Sequence, residues 1–316
     1  MIALEDYIGK ERLNEITQEY QAEALKYIKN SKSKNDFSAI VSEYPNLITG
    51  SIDTITSLSA EILNDKGIEF TTLTDHASNS YTYFFSKEKM ESNGTVKMSY
   101  WLAKKLGVRV CPYCNQQYTF TITNGKGIRP EFDHFLPKSK FPLLALSFYN
   151  LIPSCHNCNH VKSDENFSLN NNLYPYSESF HEQMKFKIKN YSTEMFTQSK
   201  SNFKNASTQN MDIKLVPKGD LHEKALKNVK AFRLEDIYNE HKDYAQEIIY
   251  KATYYSDALL QSYHGAFGDT FDQDFLDQMY YGNYIKPDEI MERPLAKLTQ
   301  DIIEQFALKR SVISHT

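Results

Sequence analysis

Two short motifs, Cys111-Pro112-Tyr113-Cys114 and Cys155-His156-Asn157-Cys158, contain all four cysteines of the 316-residue chain. A Cys-x-x-Cys turn directs both sulfurs to the same side, so two such turns can complete a tetrahedral four-thiolate zinc site. No cysteine is left over for another role. The spacing therefore predicts that Cys111, Cys114, Cys155 and Cys158 bind one structural zinc ion, with a long insertion between the two turns.

Two other uses of paired cysteines compete with this interpretation. A disulfide framework is typical of secreted proteins, but the opening residues, MIALEDYIGKER, lack the basic flank and the apolar run of a signal peptide. A redox-active Cys-x-x-Cys motif needs one pair, whereas this chain has two. We therefore expect a cytoplasmic chain whose cysteines bind metal.

The composition is that of an ordinary globular protein rich in helix. Hydrophobic residues make up 41% and charged residues 24% of the chain, while glycine (11) and proline (10) are sparse. The formal net charge of -4 excludes a protein that coats nucleic acid through bulk positive charge. No run approaches the roughly 18 apolar residues of a membrane span, so we expect no membrane partner.

Apolar periodicity predicts helices on both sides of the cysteine region. Before it, helical spacing of apolar residues covers Ala3 to Ile28, Ser51–Leu63 and Val96–Leu106, the last ended by a glycine. After it, the same pattern covers Leu221 to about Tyr263 and Pro287–Leu308. These segments predict largely helical flanks.

Short strands are predicted around the first cysteine pair. Val108–Val110 and Tyr118–Thr123 are rich in β-branched and aromatic residues. The turn Asn124-Gly125-Lys126-Gly127 separates the second of them from Glu131–Phe135, which predicts a hairpin between these two segments.

Further elements complete a division into three regions. Cys155–Lys162 lacks helix breakers and predicts a short helix, while Met184–Ile188 and Met211–Val216 predict strands. We expect a helical N-terminal region at 1–107, a zinc-containing module at 108–165, and a mainly helical C-terminal region with a few strands at 166–316.

The insertion between the cysteine turns contains Asp133 and His134, a carboxylate followed directly by an imidazole. Asn150 follows, and Asn159 comes immediately after the last cysteine, on the predicted helix. Carboxylate and amide oxygens suit one hydrated Mg²⁺ or Mn²⁺, which we expect Asp133 and Asn159 to hold. Because zinc would fix the start of that helix, Asn159 is predicted to face the Asp133–His134 pair.

This set of residues is suited to cutting a phosphodiester. Neutral His134 would take a proton from the attacking water, since its ordinary pKa lies near 6.5. Asn150 would orient His134, plausibly by hydrogen bonding across the loop, without touching the metal. The metal would stabilise the charge that develops on the phosphate and on the leaving 3′ oxygen.

Local charge supports a polyphosphate substrate. Between Trp101 and Asp164 the chain has eight basic and three acidic residues, a local charge of +5 within an acidic protein. Lys162 and Lys138 belong to this group and are the predicted substrate contacts. The alternative is that these basic residues only solvate an exposed face.

The order Cys-x-x-Cys, Asp-His-Phe-x-Pro-Lys-Ser, Asn-Leu and Cys-x-x-Cys-Asn-x-x-Lys-Ser-Asp resembles the HNH, or ββα-metal, nuclease family. The resemblance runs from Cys111 to Asp164, roughly one sixth of the chain. It implies that His134 is the general base, Asn150 the orienting residue and Asn159 a metal ligand.

The residue at the final position of the motif departs from the commonest family pattern. Asn159 stands where most members have His, a variant also known from the HNH lobe of RNA-guided CRISPR effectors. His156 and His160 flank Asn159, so a shifted register with a histidine ligand stays open.

The resemblance implies an α+β fold in which a zinc-clamped ββα-metal module is embedded in helical flanks. It also implies a metal-dependent endonuclease, with double-stranded DNA as the expected substrate. The alternatives are an RNase with the same site, and a non-catalytic zinc module that binds nucleic acid or a partner protein.

Two segments outside the motif resemble tails of HNH proteins from bacterial antiphage systems. They are Leu234–Ala245 and Arg293-Pro294-Leu295. Some of those proteins work beside an ATPase, and the chain itself has no Walker-A pattern. The resemblance therefore implies a role in antiviral defence and an ATPase partner.

Overall fold

The computed structural model describes residues 1–31, 35–67, 69–91, 94–163, 165, 167–191, 211–254, 262, 265–266 and 272–307. In these parts of the chain most elements are helices, and the strands form two-stranded antiparallel sheets. The predicted α+β class is thereby confirmed. None of the described helices has both the length and the apolar character that crossing a bilayer would require.

The described residues before the first cysteine pair form helices and one hairpin. In chain order they are α1 (Leu4–Ile8), α2 (Lys10–Asn30), α3 (Asp36–Glu43), α4 (Asn46–Thr49), α5 (Ile52–Lys66), α6 (Phe70–Ser86), the strands β1 (Glu88–Glu91) and β2 (Gly94–Lys97), and α7 (Met98–Leu106). The helices predicted here are confirmed with two adjustments. Gly9, at φ 88°, divides the first into α1 and α2, and Val96 belongs to β2 and not to α7.

The N-terminal helices share an aromatic core with the loop of residues 135–150. Tyr20, on α2, is fully buried. Its ring packs against Phe84 of α6 and against Phe148 of the loop, with centroid distances of 5.6 and 5.5 Å. Its hydroxyl donates to the Leu146 carbonyl at 3.0 Å. Helices far away in sequence therefore fix the conformation of this loop.

The central strands are β3 (Glu131–His134) and β4 (Leu151–Ser154), an antiparallel pair, followed by α8 (His156–Lys162). The helix predicted after Cys155 is confirmed. The hairpin predicted between Tyr118–Thr123 and Glu131–Phe135 is wrong, because β3 pairs with β4 instead.

The segments predicted as strands before β3 form only isolated bridges. Val110 pairs with Tyr118, and Ile122 pairs with Ile128 across the glycine-containing turn. Pro130 has no N–H group to donate, so pairing stops before β3 begins. The chain is then free to form its sheet with the later strand.

The described C-terminal elements are α9 (Phe180–Gln183), β5 (Met184–Lys189), β6 (Asp212–Pro217), α10 (His222–Ala231), α11 (Leu234–Asn239), α12 (Lys242–Tyr254), α13 (Gln273–Tyr281) and α14 (Ala296–Ala307). Both predicted strands are confirmed as the pair β5–β6.

The long helical patterns predicted in this region are interrupted. The pattern from Leu221 divides into α10, α11 and α12, with Arg233 at φ 51° between the first two. The pattern from Pro287 begins as a 3₁₀ turn, and Leu295, at φ 62°, precedes α14. A left-handed residue cannot continue an α-helix, which explains both breaks. Most of the predicted helix beyond residue 254, and Leu308, lie outside the described residues.

Two compact units divide the chain. One comprises Ala3–Tyr113 and Gln117–Glu178, and the other comprises Met1–Ile2, Cys114–Gln116 and Ser179–Thr316. Most of the region predicted as a separate module at 108–165 therefore shares a unit with the N-terminal helices. The reason is the aromatic core described above, which fastens the loop 135–150 to α2 and α6.

In the unit that contains the C-terminal helices, α14 packs along β5. Asp301 on α14 accepts hydrogen bonds from the Phe186 N–H at 2.7 Å and from the buried Lys297 ammonium at 2.6 Å. Gln305 bonds both backbone groups of Ile188 at 2.9 Å. These side chains form hydrogen bonds with backbone groups on the edge of β5 that faces away from β6, so that edge is not open to pairing with another strand.

Candidate active site

The four cysteine sulfurs lie within 4.8 Å of one another, and all four residues are buried cysteines outside any disulfide. Backbone N–H groups point at sulfurs of the cluster: that of Cys155 donates to Cys111 Sγ at 3.4 Å, that of Gln116 to Cys114 Sγ at 3.4 Å, and that of Cys158 to Cys155 Sγ at 3.5 Å. Such bonds favour the thiolate form. The predicted four-cysteine cluster is confirmed, and its dimensions fit a zinc ion with Zn–S bonds of about 2.3 Å.

A pocket of about 480 Å³ opens beside β3, the start of the following loop and α8. Four predicted site residues line it: Asp133, His134, Lys138 and Asn159. Two others, Asn150 and Lys162, are fully buried and are not part of its described lining. The fold therefore brings the predicted base and the predicted metal ligands into one pocket, while Asn150 and Lys162 lie buried outside its described lining.

His134 is 9% exposed, and its ring has a fixed orientation. Nε2 lies 3.0 Å from the Ala145 carbonyl oxygen. Because a carbonyl only accepts, Nε2 carries the proton and Nδ1 carries the lone pair of the neutral ring. The Tyr81 ring packs edge-on against the imidazole, with centroids 4.8 Å apart. Burial lowers the pKa of His134 to about 3, so the ring is neutral at pH 7.

Asn150 organises the backbone around His134 and does not touch the imidazole. Its Oδ1 accepts from the Leu136 N–H at 2.7 Å, and its Nδ2 donates to the carbonyls of Leu136 and Leu144 at 3.0 and 3.3 Å. Leu144 directly precedes Ala145, the residue that holds Nε2 of His134. Asn150 thus bonds across the loop, and its influence on His134 passes through the loop backbone.

Asp133 is 3% exposed, and both of its oxygens already have partners. Oδ1 accepts from the Lys162 ammonium at 3.0 Å, and Oδ2 accepts from the Tyr113 hydroxyl at 2.6 Å. Burial raises the pKa of Asp133, and these two donors oppose the rise. Each carboxylate oxygen has two lone pairs, so a metal ligand and a hydrogen bond can share one oxygen.

Lys162 does not contact solvent, so its predicted role as a phosphate contact is wrong. The side chain is 0% exposed, and its ammonium donates to Asp133 Oδ1 and, at 2.6 Å, to the His134 carbonyl. These bonds join α8 to the end of β3. The role that the structure gives Lys162 is to hold two adjacent site residues in place.

Glu131 also lines the pocket and is an addition to the predicted site residues. It lies two residues before Asp133 on β3, and strand alternation puts positions i and i+2 on one face, so this periodicity could have identified it. Its Oε2 accepts from Asn159 Nδ2 at 2.6 Å, and its Oε1 lies 2.9 Å from His156 Nδ1. Although burial raises the pKa of Glu131, these partners leave it below its ordinary value.

The amide orientation of Asn159 leaves its oxygen free to act as a ligand. Nδ2 is committed to Glu131, so Oδ1 is the donor atom left for a cation. His160 also lines the pocket, whereas His156 is bonded to Glu131. The shifted register therefore stays open for His160. Asp164, the last residue of the motif, lies outside the described residues.

Tyr81 and Arg129 also line the pocket, and no local sequence signal marks Tyr81 because α6 reaches the site through tertiary packing. Burial raises the pKa of Tyr81 to about 12, so its hydroxyl stays protonated. The Lys138 ammonium lies 4.9 Å from the Tyr81 ring centroid. Lys138 and Arg129 supply the cationic side of the pocket, and substrate binding by Lys138 stays a prediction.

Comparison with protein-family models, with curated proteins and with solved structures finds no match to this chain.

Proposed function

We propose that this protein is a metal-dependent HNH endonuclease whose ββα-metal module consists of β3, β4 and α8. One observation carries the proposal. A neutral imidazole whose Nδ1 carries the lone pair lines the same pocket as the carboxylate of Asp133 and the amide of Asn159, and α8 begins at one of the clustered cysteines. Metal-dependent hydrolysis of a phosphodiester needs a general base for the attacking water and oxygen ligands that hold a cation beside the phosphate.

Two kinds of metal fit the residues present. The four buried thiols form a complete sulfur set for zinc, which would have a structural role. Asp133 and Asn159, with Glu131 beside them, offer only oxygen donors and suit Mg²⁺ or Mn²⁺. When bound, such an ion supplies charge stabilisation to the phosphate and to the leaving 3′ oxygen.

The chain's own residues then divide the remaining work. Nδ1 of His134 takes a proton from water as the water oxygen attacks phosphorus, and the 3′ oxygen leaves with the electrons of the broken P–O bond. The Ala145 carbonyl keeps the second ring proton on Nε2. An anionic phosphate next to the ring favours the imidazolium, so substrate raises the low pKa that burial imposes on His134.

Lys162 and Asn150 position these groups. Lys162 bonds the Asp133 carboxylate and the His134 carbonyl, which fixes the end of β3. Asn150 ties Leu136 to Leu144 and so sets the position of the Ala145 carbonyl. Neither side chain needs to touch the substrate.

The substrate is a nucleic acid, and we propose double-stranded DNA as the first choice. Arg129 and Lys138 give the pocket a cationic side that attracts phosphate. RNA offers the same scissile linkage, so RNA is the alternative substrate. A cytoplasmic role in antiviral defence beside an ATPase rests on the resemblance alone.

The experiment is a supercoiled-plasmid cleavage assay with Mg²⁺, Mn²⁺ or EDTA. We expect wild-type protein to nick or linearise the plasmid with either cation, and His134→Ala to lose cleavage while it stays folded with its zinc content unchanged. His222→Ala, a partly exposed histidine of α10, is the matched control and should cut normally. Equal cleavage by the His134→Ala variant would refute the proposed active site, because the cleavage would then not need its general base.

The same assay separates the alternatives. Digestion of RNA and DNA side by side identifies an RNase with this site. Nucleic-acid binding without cleavage under any cation would leave the non-catalytic zinc module as the explanation.

A further inference from the structure

The segment between the first cysteine pair and β3 presents large apolar side chains to solvent. We call residues 117–128 the aromatic arm. Its backbone is held by the bridges Val110–Tyr118 and Ile122–Ile128, and by the buried Thr119, whose hydroxyl donates to the Val108 carbonyl at 2.8 Å. Four of its side chains are strongly exposed: Tyr118 (46%), Phe120 (40%), Ile122 (48%) and Ile128 (60%). An exposed apolar cluster on an ordered backbone marks a binding surface.

Two of these side chains form a stacked aromatic pair. The rings of Tyr118 and Phe120 are stacked, with centroids 4.3 Å apart and an interplanar angle of 21°. The Arg109 guanidinium lies 5.7 Å from the Phe120 ring centroid. Strand-like alternation puts Tyr118, Phe120 and Ile122 on one face, with Thr119 buried on the other.

The stretch of sequence that contains the arm carries charges of one sign. Between Glu91 and Glu131 the sequence contains six basic residues and no acidic one. Lys104 and Lys105 form surface ion pairs with glutamates, and Arg109 and Lys126 are exposed beside or within the arm. Exposed aromatic rings among cations are complementary to nucleotides, because the rings stack on bases while the cations attract phosphates.

The arm is joined to the pocket by a short connection. Ile128 is the last residue of the arm, and the next residue, Arg129, lines the pocket. The Arg129 guanidinium lies 5.7 Å from the Tyr100 ring centroid, and the Tyr100 hydroxyl donates to the Gly127 carbonyl at 2.9 Å. The C-terminal end of the arm therefore leads directly into the pocket lining.

We propose that the aromatic arm binds unpaired nucleotides of the substrate, with bases stacked on Tyr118 and Phe120 and phosphates near Arg109 and Lys126. Inside a duplex the base faces are covered by neighbouring bases, so a stacking surface selects single-stranded, frayed or looped segments. The inference refines the substrate of the proposed nuclease and rests on that function for its biological meaning. The binding itself can be measured without cleavage.

The test is fluorescence anisotropy without added divalent cations, using one labelled sequence as single-stranded DNA, as RNA and as duplex DNA. Aromatic stacking contributes about 1–3 kcal/mol per base, or roughly 5- to 150-fold in Kd. We expect Tyr118→Ala/Phe120→Ala to weaken single-strand binding at least about 10-fold and duplex binding less than about 3-fold. Phe120→Trp, which keeps a ring, should retain the wild-type affinity.

Tyr83→Ala is the matched control, because Tyr83 is a 66% exposed tyrosine on α6 outside the arm. It should leave all affinities unchanged. Melting temperature and zinc content of each variant report folding. Single-strand affinity within twofold of wild type for the double variant, or equal losses on single strand and duplex, would overturn the proposal. Comparison of the affinities for single-stranded DNA and RNA shows which sugar the surface prefers.

The two proposals fail separately. If the arm variant loses single-strand binding and the wild-type protein cleaves nothing under any cation, nucleotide binding by the arm is supported and the nuclease activity is refuted. Cleavage that needs His134, together with unchanged binding by the arm variant, would support the nuclease and refute the arm.

Discussion

Replacing Lys162 by methionine should destabilise the protein far more than removing a surface lysine of equal ion-pair geometry. Methionine keeps an unbranched, apolar side chain of similar length. The ammonium that it removes is 0% exposed and serves the Asp133 carboxylate and the His134 carbonyl. Loss of the ammonium leaves the buried Asp133 carboxylate without its cationic partner and the His134 carbonyl without this donor.

The magnitude follows from burial. Breaking a buried ion pair by removing one member costs about 3–5 kcal/mol. For a folding unit of this size the melting temperature falls by about 2–4 °C per kcal/mol, so we expect a decrease of roughly 6–20 °C. The double variant Asp133→Asn/Lys162→Met removes the unpaired charge and should be more stable than the sum of the single changes implies.

Lys105→Met is the matched control. Lys105 pairs with Glu19 at 3.0 Å, the same distance as Lys162 from Asp133, but these two side chains are 38% and 45% exposed. A surface pair of this kind contributes about 0–1 kcal/mol. Urea unfolding and calorimetry of zinc-loaded protein measure both variants. If Lys162→Met loses no more free energy of unfolding than Lys105→Met, the buried-pair argument is refuted.

Two further predictions concern a buried amide and a helix cap. Asn150→Ala should lower the free energy of unfolding by about 2–4 kcal/mol, because one N–H and two carbonyls lose their partner. Urea titration measures this change, and the control Asn14→Ala, at an exposed position, should change the free energy of unfolding by less than about 0.5 kcal/mol. An equally small effect of Asn150→Ala would contradict the prediction. Glu69 caps α6, and hydrogen bonds from Thr72 and Thr71 lower its pKa from 4.5 to about 2. A carboxyl whose pKa is lower in the folded than in the unfolded chain stabilises the fold at pH values above its unfolded pKa. The stability difference between wild type and Glu69→Ala should therefore be largest above pH 4.5 and shrink as the pH falls toward 2. A difference that does not vary with pH would show that the charge of Glu69 has no role.

The cysteine cluster was predictable because its chemistry is local. Two Cys-x-x-Cys turns leave few ways to use four thiols, and Cys155 is the N-cap of α8, so the second motif lies at the start of that helix. The same holds for the registers of Asp133, His134 and Asn159, which the strand and the helix carry into one pocket.

The strand partner of β3 was not predictable from local signals. The turn at 124–127 suggests a hairpin with the neighbouring segment, but the stable partner is β4, on the far side of the loop 135–150. That loop is fixed by Asn150 and by the Tyr20 core of α2 and α6, which are tertiary contacts. Sequence periodicity carries no information about them.

Burial explains why Lys162 does not have its predicted role as a phosphate contact. Lys162 has the residue type of a phosphate contact, and its depth in the fold makes it a partner of Asp133 instead. Glu131, by contrast, shares a strand face with Asp133 and could have been selected from period-two alternation. Tyr81 could not, since it reaches His134 from a separate helix.

Anomalous diffraction from crystals of the zinc-loaded protein soaked in Mn²⁺ tests both metal sites directly. We expect one zinc peak among Cys111, Cys114, Cys155 and Cys158, and one manganese peak in the pocket between Asp133 and Asn159. Sulfurs joined as disulfides, or a pocket without manganese at saturating concentration, would contradict this expectation.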